Sequence, residues 1–264
     1  MPSNSGGGNV LTAKGGRYGG KGDPLEFLRV GDHAPKGCTP LSWLPAFNRW
    51  GEINDGERYI DLLSILSETD PRFTWSLTEG GTAESTAAPV ALGLALTTDV
   101  ADNDAVRFQS LWTYTPAKYK RAVAYGRVKL EDVTQSDFMF GYYATQTDPV
   151  GTEPLHGAYF WSADGAATMV GRTNDAGAAG TSTSTLATLV NDTLVDIVVG
   201  IDPSSSSAGT VYFCYKLASG STWTQTTKTT DFPAAATRFS GCWQAGEAGA
   251  IAATFTRGFA WWEN

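Results

Sequence analysis

Two histidines, three cysteines and scattered carboxylates are what this 264-residue chain offers for catalysis. Ser-His-Asp or Cys-His chemistry would have to use His33 or His156, because an imidazole must take the proton of the nucleophile. Neither has a GxSxG-like turn nearby, and His156, between Leu155 and Gly157, reads as a loop residue. Polysaccharide cleavage needs two carboxylates about 5–10 Å apart. Glu79 precedes Gly80-Gly81 in a turn, Glu131-Asp132 closes a strand, and no strand carries an E-x-D-x-x-E pattern. No catalytic residue is predicted, and the chain reads as a non-enzyme.

Ligand sets for metals are equally thin. Asp99, Asp102 and Asp104 could offer oxygen ligands to Ca²⁺, but the Gly and closing Glu of an EF-hand loop are missing. Asp and Asn also favour polar hairpin turns, and that is the preferred reading of this cluster. Cys38, Cys214 and Cys242 form no CxxC or Cys/His group, which argues against structural zinc. No cofactor is expected. An odd cysteine count, with no signal-peptide pattern after Met1, predicts reduced thiols in a protein made in a cytosol. A net charge of −8 argues against nucleic acid as a partner, since phosphate binding needs a basic surface. No apolar run approaches the roughly 20 residues of a membrane span, so no membrane partner is expected.

The aromatic residues carry the remaining signal. Trp112, Trp161, Trp261 and Trp262 all fall in strand-like runs and are candidates for stacking on sugar rings or for a subunit interface. Most of the other aromatics read as core and cross-strand pairs. Successive strand residues point to opposite faces, so Trp261 and Trp262 cannot both enter one core. One of them needs another cover, for which a neighbouring subunit is a candidate.

Three segments would position these residues. Residues 1–24 form an extended Gly-rich arm, with Lys14, Arg17, Tyr18 and Lys21 as its candidate contacts to a partner. Residues 25–72 form a connector. Its Pro35, Pro40 and Pro45 preclude one regular element, and its run Arg58 to Leu66 has the spacing of a short amphipathic helix or a strand. Residues 73–264 hold many short β-type runs separated by Gly, Asp, Pro and Ser/Thr clusters. Ala122, Ala124, Gly126, Val128 and Leu130 alternate with Arg127, Lys129 and Glu131. The pattern predicts an all-β protein, an antiparallel β-sandwich or jelly roll.

The series Phe73-Thr74-Trp75, Asp102-Asn103-Asp104, Ala124 to Leu130, Thr134 to Gly141, Gly157 to Phe160, Asp164-Gly165 and Gly258 to Trp262 resembles the jelly-roll, concanavalin-like and laminin-G-like sandwiches of tailed-bacteriophage virion proteins. The resemblance covers the strand-rich part of the chain, and its strongest block is residues 127–141. It implies a capsid decoration, or cement, protein that binds the outside of a phage head. The implied partners are the viral major capsid protein and further copies of the chain, as a homotrimer. The implied location is the virion, assembled in host cytoplasm. It brings no catalytic residues. The alternatives are a carbohydrate-binding, lectin-like module of a phage tail or fibre and a polysaccharide-cleaving sandwich enzyme.

A Gly-rich arm buries too little apolar surface to fold alone and gains order only through outside contacts. A chain lacking residues 1–24 is therefore expected to fold and keep its oligomeric state while binding pre-formed shells more weakly. Co-sedimentation with shells measures this, and undiminished binding would remove the arm from attachment.

Overall fold

The computed structural model describes residues 37–44, 57–61, 72–78, 86–90, 93–98, 104–144, 153–162, 166–176, 180–217, 220–245 and 252–263. The strands, in chain order, begin with β1 (Glu57–Asp61), β2 (Phe73–Thr78), β3 (Thr86–Val90), β4 (Gly93–Thr97) and β5 (Ala105–Tyr114). Then come β6 (Ala122–Leu130), β7 (Ser136–Tyr143), β8 (His156–Ser162), β9 (Thr168–Asp175), β10 (Thr181–Ser182) and β11 (Ala187–Thr188). The series closes with β12 (Leu194–Pro203), β13 (Gly209–Leu217), β14 (Thr224–Lys228), β15 (Thr237–Ala245) and β16 (Ala252–Glu263).

These strands form two eight-stranded antiparallel sheets, the β-sandwich expected from the sequence. Sheet I runs β14-β13-β12-β6-β16-β4-β3, with β1 also paired to β16. Sheet II runs β10-β9-β8-β7-β15-β5-β2, with β11 also paired to β9. Sequence neighbours often sit in different sheets: β6 is in sheet I and β7 in sheet II, β15 in sheet II and β16 in sheet I. The strand β1 lies inside the stretch read as a connector. It covers the start of the run read as helix or strand, and Ile60 enters the core. Its pairing with β16, from Glu57 opposite Glu263 to Asp61 opposite Phe259, decides for strand there. Residues 62–66 and the arm, with Lys14, Arg17, Tyr18 and Lys21, lie outside the described residues.

The layer between the sheets is aromatic. Phe140 packs edge-on to Phe239 at 5.5 Å between centroids and lies 5.5 Å from Phe255, while Phe160 meets Phe213 edge-on at 5.4 Å. Edge-to-face contacts suit the ring quadrupole and add to the burial of apolar area. Small residues make room for this packing. A Cβ at Gly126 of β6 would stand 3.0 Å from Cζ of Phe140, and one at Gly171 of β9 would stand 2.4 Å from Cγ of Phe213. Each contact joins one sheet to the other. The alternation read along residues 122–130 holds: Ala122, Ala124, Val128 and Leu130 face this core, while Arg127 and Lys129 do not.

The opposite face of sheet I has a cover of its own. Residues 37–44, including a 3-10 turn at Thr39–Ser42, lie on β12, where Pro40 occupies the space a Cβ at Gly200 would need. Cys38, Leu41 and Leu44 join Val123, Tyr125, Val198, Cys214, Trp223, Phe259 and Trp261 in a second apolar cluster. Trp43 meets Tyr212 edge-on at 5.3 Å. The side-chain carbonyl of Gln225 accepts hydrogen bonds from the Thr39 N–H at 2.7 Å and from the Cys214 thiol at 3.4 Å. Cys38, Cys214 and Cys242 are all buried and unbridged.

Filling the Gly171 slot should strain this packing. Gly171→Ala is expected to lower stability by about 1–3 kcal/mol, the usual effect of overpacking a core. In urea denaturation the midpoint should fall with an unchanged m-value. An unchanged midpoint would show that the Phe213 ring has room to retreat.

Candidate functional site

The outward side chains of sheet II follow from the alternation of its strands. On β7, Phe138, Phe140 and Tyr142 belong to the core, so Met139 and Tyr143 face away from it. On β8, Ala158 and Phe160 face inward, while Tyr159 and Trp161 face outward. On β15, Phe239 and Trp243 face inward, which turns Arg238, Ser240 and Cys242 outward. Register then places Gln109, Ser240, Gly141, Tyr159 and Arg172 in one row across five strands. A second row runs through Thr113, Arg238, Tyr143, Gly157 and Asn174. The face is therefore a polar and aromatic strip.

Part of the strip is locked. Met139, Tyr143, Tyr159, Cys242 and Ala105 form a buried cluster with Trp161 packed against it. The Arg172 guanidinium lies 4.2 Å from the Trp161 ring centroid, a cation–π contact, and pairs with Glu153. Glu153 also accepts the Gly180 N–H at 2.9 Å. Gln109 Nε2 donates to Ser240 Oγ at 3.0 Å. Arg107, Gln109 and Asp137 are each partnered.

The accessible part lies at the β5–β15 side. Arg238 pairs in register with Thr113, and Ser240 with Gln109, so β5 carries a bulge at residues 110–112. A bulge re-aims side chains that regular pleating would alternate. Here Leu111, Trp112 and Thr113 are all exposed, Trp112 by 41%. Ser110 Oγ donates to the Trp112 carbonyl at 2.8 Å and stabilises the irregular backbone. Arg238 and Gln109 beside the bulge are half-buried.

The four tryptophans singled out from sequence thus divide. Trp112 is exposed in the β5 bulge, and Trp161 is half-buried on the outward face of sheet II. Trp262 is wholly buried in the core between the sheets, and Trp261 is buried under residues 37–44, so neither can stack on a ligand or reach a partner surface. The cover that Trp261 needs comes from its own chain instead of a neighbouring subunit. Asp104, of the calcium candidates, is buried, and Asp99 and Asp102 lie outside the described residues. Among the described residues no group of three or more His, Cys, Asp or Glu side chains is gathered for a metal.

His156 opens β8, where a loop was expected, and its Nδ1 lies 3.0 Å from Asp175 Oδ1. Glu131 accepts the Ala252 N–H at 2.9 Å and so ties the ends of β6 and β16 together, while Asp132 accepts both N–H and hydroxyl of Thr134 in a local turn. Glu79 lies outside the described residues. Arg238, Gln109 and Arg172 were passed over in the sequence because nothing local marks them. A bulge would have been needed to see them, and Ser110 to Thr113 carries no Gly or Pro to announce one.

No protein-family model matches the sequence, and no curated protein matches it. Several solved structures share the fold. Peanut lectin, in complex with a 9-mer peptide, is 12% identical over 79% of this chain and 97% of the lectin, with a TM-score of 0.56. A protein of unknown function from Shewanella oneidensis MR-1 is 13% identical over 80% of this chain and 88% of its own, with a TM-score of 0.54. The CBM2 module of the evolved Dit of Lactobacillus casei BL23 phage J-1 is 11% identical over 79% of this chain and 98% of the module, with a TM-score of 0.50. The chain has a lectin-like jelly-roll fold. At these identities the likeness is one of fold, and it includes one phage module.

Tyr143 and Tyr159 on this face are held well above the usual phenol range, first by burial. Burial does the same to Tyr142 behind them and to Tyr125 on sheet I. A phenol raised in the folded state stabilises the fold fully below its unfolded value of about 10 and loses that contribution as pH rises towards the folded value. The protein is therefore expected to lose stability above about pH 10. Urea midpoints measured across that range, with phenolate absorbance appearing only as the fold is lost, would check it. Early phenolate formation in the folded protein would contradict the burial of these rings.

Proposed function

We propose that the protein is a lectin-like, glycan-binding module of a phage particle, and that it binds through the outward face of sheet II. The observation that carries this reading is Trp112, held exposed by a bulge beside a strip of polar and aromatic side chains. An aromatic ring offers a flat apolar face to the C–H face of a sugar, while neighbouring amide, hydroxyl and guanidinium groups meet its hydroxyls. Trp161 lies three strands from β5, on the order of 15 Å across the sheet at ordinary strand spacing. The outward side chains between them, Ser240, Cys242, Met139 and Tyr143, are buried, so the accessible surface is confined to the β5–β15 end. The lectin-like fold and its occurrence in a phage module support the same reading.

The capsid-decoration reading rested on the arm and on the sequence resemblance, and the fold comparison favours the sugar-binding alternative over it. Attachment to a major capsid protein and trimer formation stay with the arm and the shell experiment. Polysaccharide cleavage has less support, because Glu131 is committed to a contact between strand ends and Asp132 to a turn.

The test is binding to polysaccharides from the surfaces of candidate host cells, by calorimetry or pull-down. Trp112→Ala is expected to weaken binding at least about tenfold, equivalent to ~1.4 kcal/mol, with an unchanged circular dichroism spectrum. Binding that survives this substitution would move the site elsewhere, and tight binding to shells alone would favour decoration.

A further inference from the structure

Most of the charge on the outward face of sheet II is already satisfied. Arg172 is paired with Glu153 and stacked on Trp161, and Arg107 and Asp137 are both partnered. Arg238 differs. Its guanidinium makes no hydrogen bond or ion pair among the described residues, although its side chain is half-buried. Its cross-strand neighbours, Thr113 on β5 and Tyr143 on β7, are neutral, as are Gln109 and Ser240 in the next row. In a chain of net charge −8, an uncompensated guanidinium next to an exposed tryptophan is a local exception.

We propose that Arg238 makes this surface selective for acidic glycans. The proposal rests on the glycan-binding reading and adds a ligand class to it. Guanidinium presents a planar fork of N–H donors that matches carboxylate and phosphate in two parallel hydrogen bonds. Trp112 stacks on the ring of one sugar, and Arg238, one residue along in cross-strand register with Thr113, takes the anionic substituent. A neutral sugar leaves that fork facing water and gains nothing from it. The net charge of −8 on the chain repels the same ligand, which favours binding at an uncompensated cation.

The experiment uses the full chain with three probes: polygalacturonate for carboxylate, glycerol-phosphate teichoic acid for phosphate, and dextran as the neutral control. Wild-type protein is expected to bind one acidic probe about tenfold or more tighter than dextran, with the preference shrinking as salt rises. Arg238→Gln should erase the preference and leave dextran binding within about twofold, while Arg238→Lys, which keeps charge but loses the fork, should retain only part of it. Thermal melting of both variants should stay close to wild type, because the guanidinium makes no hydrogen bond or ion pair among the described residues. Equal binding to all three probes, or equal loss on all three in Arg238→Gln, overturns the acidic selectivity while leaving glycan binding in place. Loss of all binding in Trp112→Ala with the acidic preference intact in wild type supports both readings. No binding of wild type to any probe or host polysaccharide overturns both. Which acidic probe binds separates uronic acid from phosphate as the source of the anion.

Discussion

The two sheets are held in one register by rings that cross the gap between them. Phe140 of sheet II fills the space over Gly126 of sheet I, and Phe213 of sheet I fills the space over Gly171 of sheet II. Tyr142 goes further. Its ring packs edge-on to Trp262, and its hydroxyl lies 3.0 Å from the carbonyls of both Val123 and Trp261. One phenolic proton is thus shared between two strands of the opposite sheet. A wholly buried hydroxyl without such partners would be costly, so the position of β7 over β6 and β16 is constrained by more than apolar area.

That constraint decides what each strand shows on its other side. With Phe138, Phe140 and Tyr142 fixed inward, Met139 and Tyr143 must face outward, and the same logic orders β8 and β15. The two outward faces then meet different fates. Sheet I carries Val123, Tyr125, Val198, Phe259 and Trp261, which are too apolar to stand in water, and residues 37–44 cover them. Gln225 fixes that cover through the Thr39 N–H. Sheet II carries a mixed strip in which arginine, glutamine and serine interrupt the aromatics, and part of it stays accessible. Most of that face is buried too, through Met139, Tyr143, Tyr159, Ser240 and Cys242, and accessibility is confined to the β5–β15 end at Trp112, Thr113 and Arg238.

Polar groups on both faces are arranged to satisfy burial. Asp196 on sheet I, 3% exposed, receives the Tyr125 hydroxyl at 2.7 Å and has Lys216 at 3.3 Å and Arg127 at 3.5 Å. A buried carboxylate is costly unless paired and hydrogen-bonded, and these groups supply both. Arg172 and Glu153 form the corresponding pair on sheet II. Against that background, the half-buried Arg238 guanidinium differs in having no hydrogen-bond or ion-pair partner among the described residues.

Strand positions were legible in the sequence because side-chain alternation and turn residues are local. The runs expected at 73–78, 122–131, 137–145, 194–201, 209–217 and 252–262 all reappear as strands, with ends displaced by one or two residues in several. The shorter β3 and β10 were missed, since five and two residues carry too little pattern, and β1 was left open between helix and strand. The adjacency of Trp261 and Trp262 correctly required two separate environments, because strand geometry allows nothing else. Which chain segment would cover Trp261 depended on residues more than two hundred positions away, and no local pattern carries that information. The same holds for the candidate site: Trp112 as an aromatic was visible in the sequence, whereas its exposure comes from a bulge against β15, and its neighbour Arg238 arrives by cross-strand pairing. Sequence by itself determined the β-sandwich and the scarcity of catalytic groups, since both follow from residue types and period. Tertiary structure decided which aromatics are buried and which face the solvent, since that is set by the pairing of strands distant in the chain.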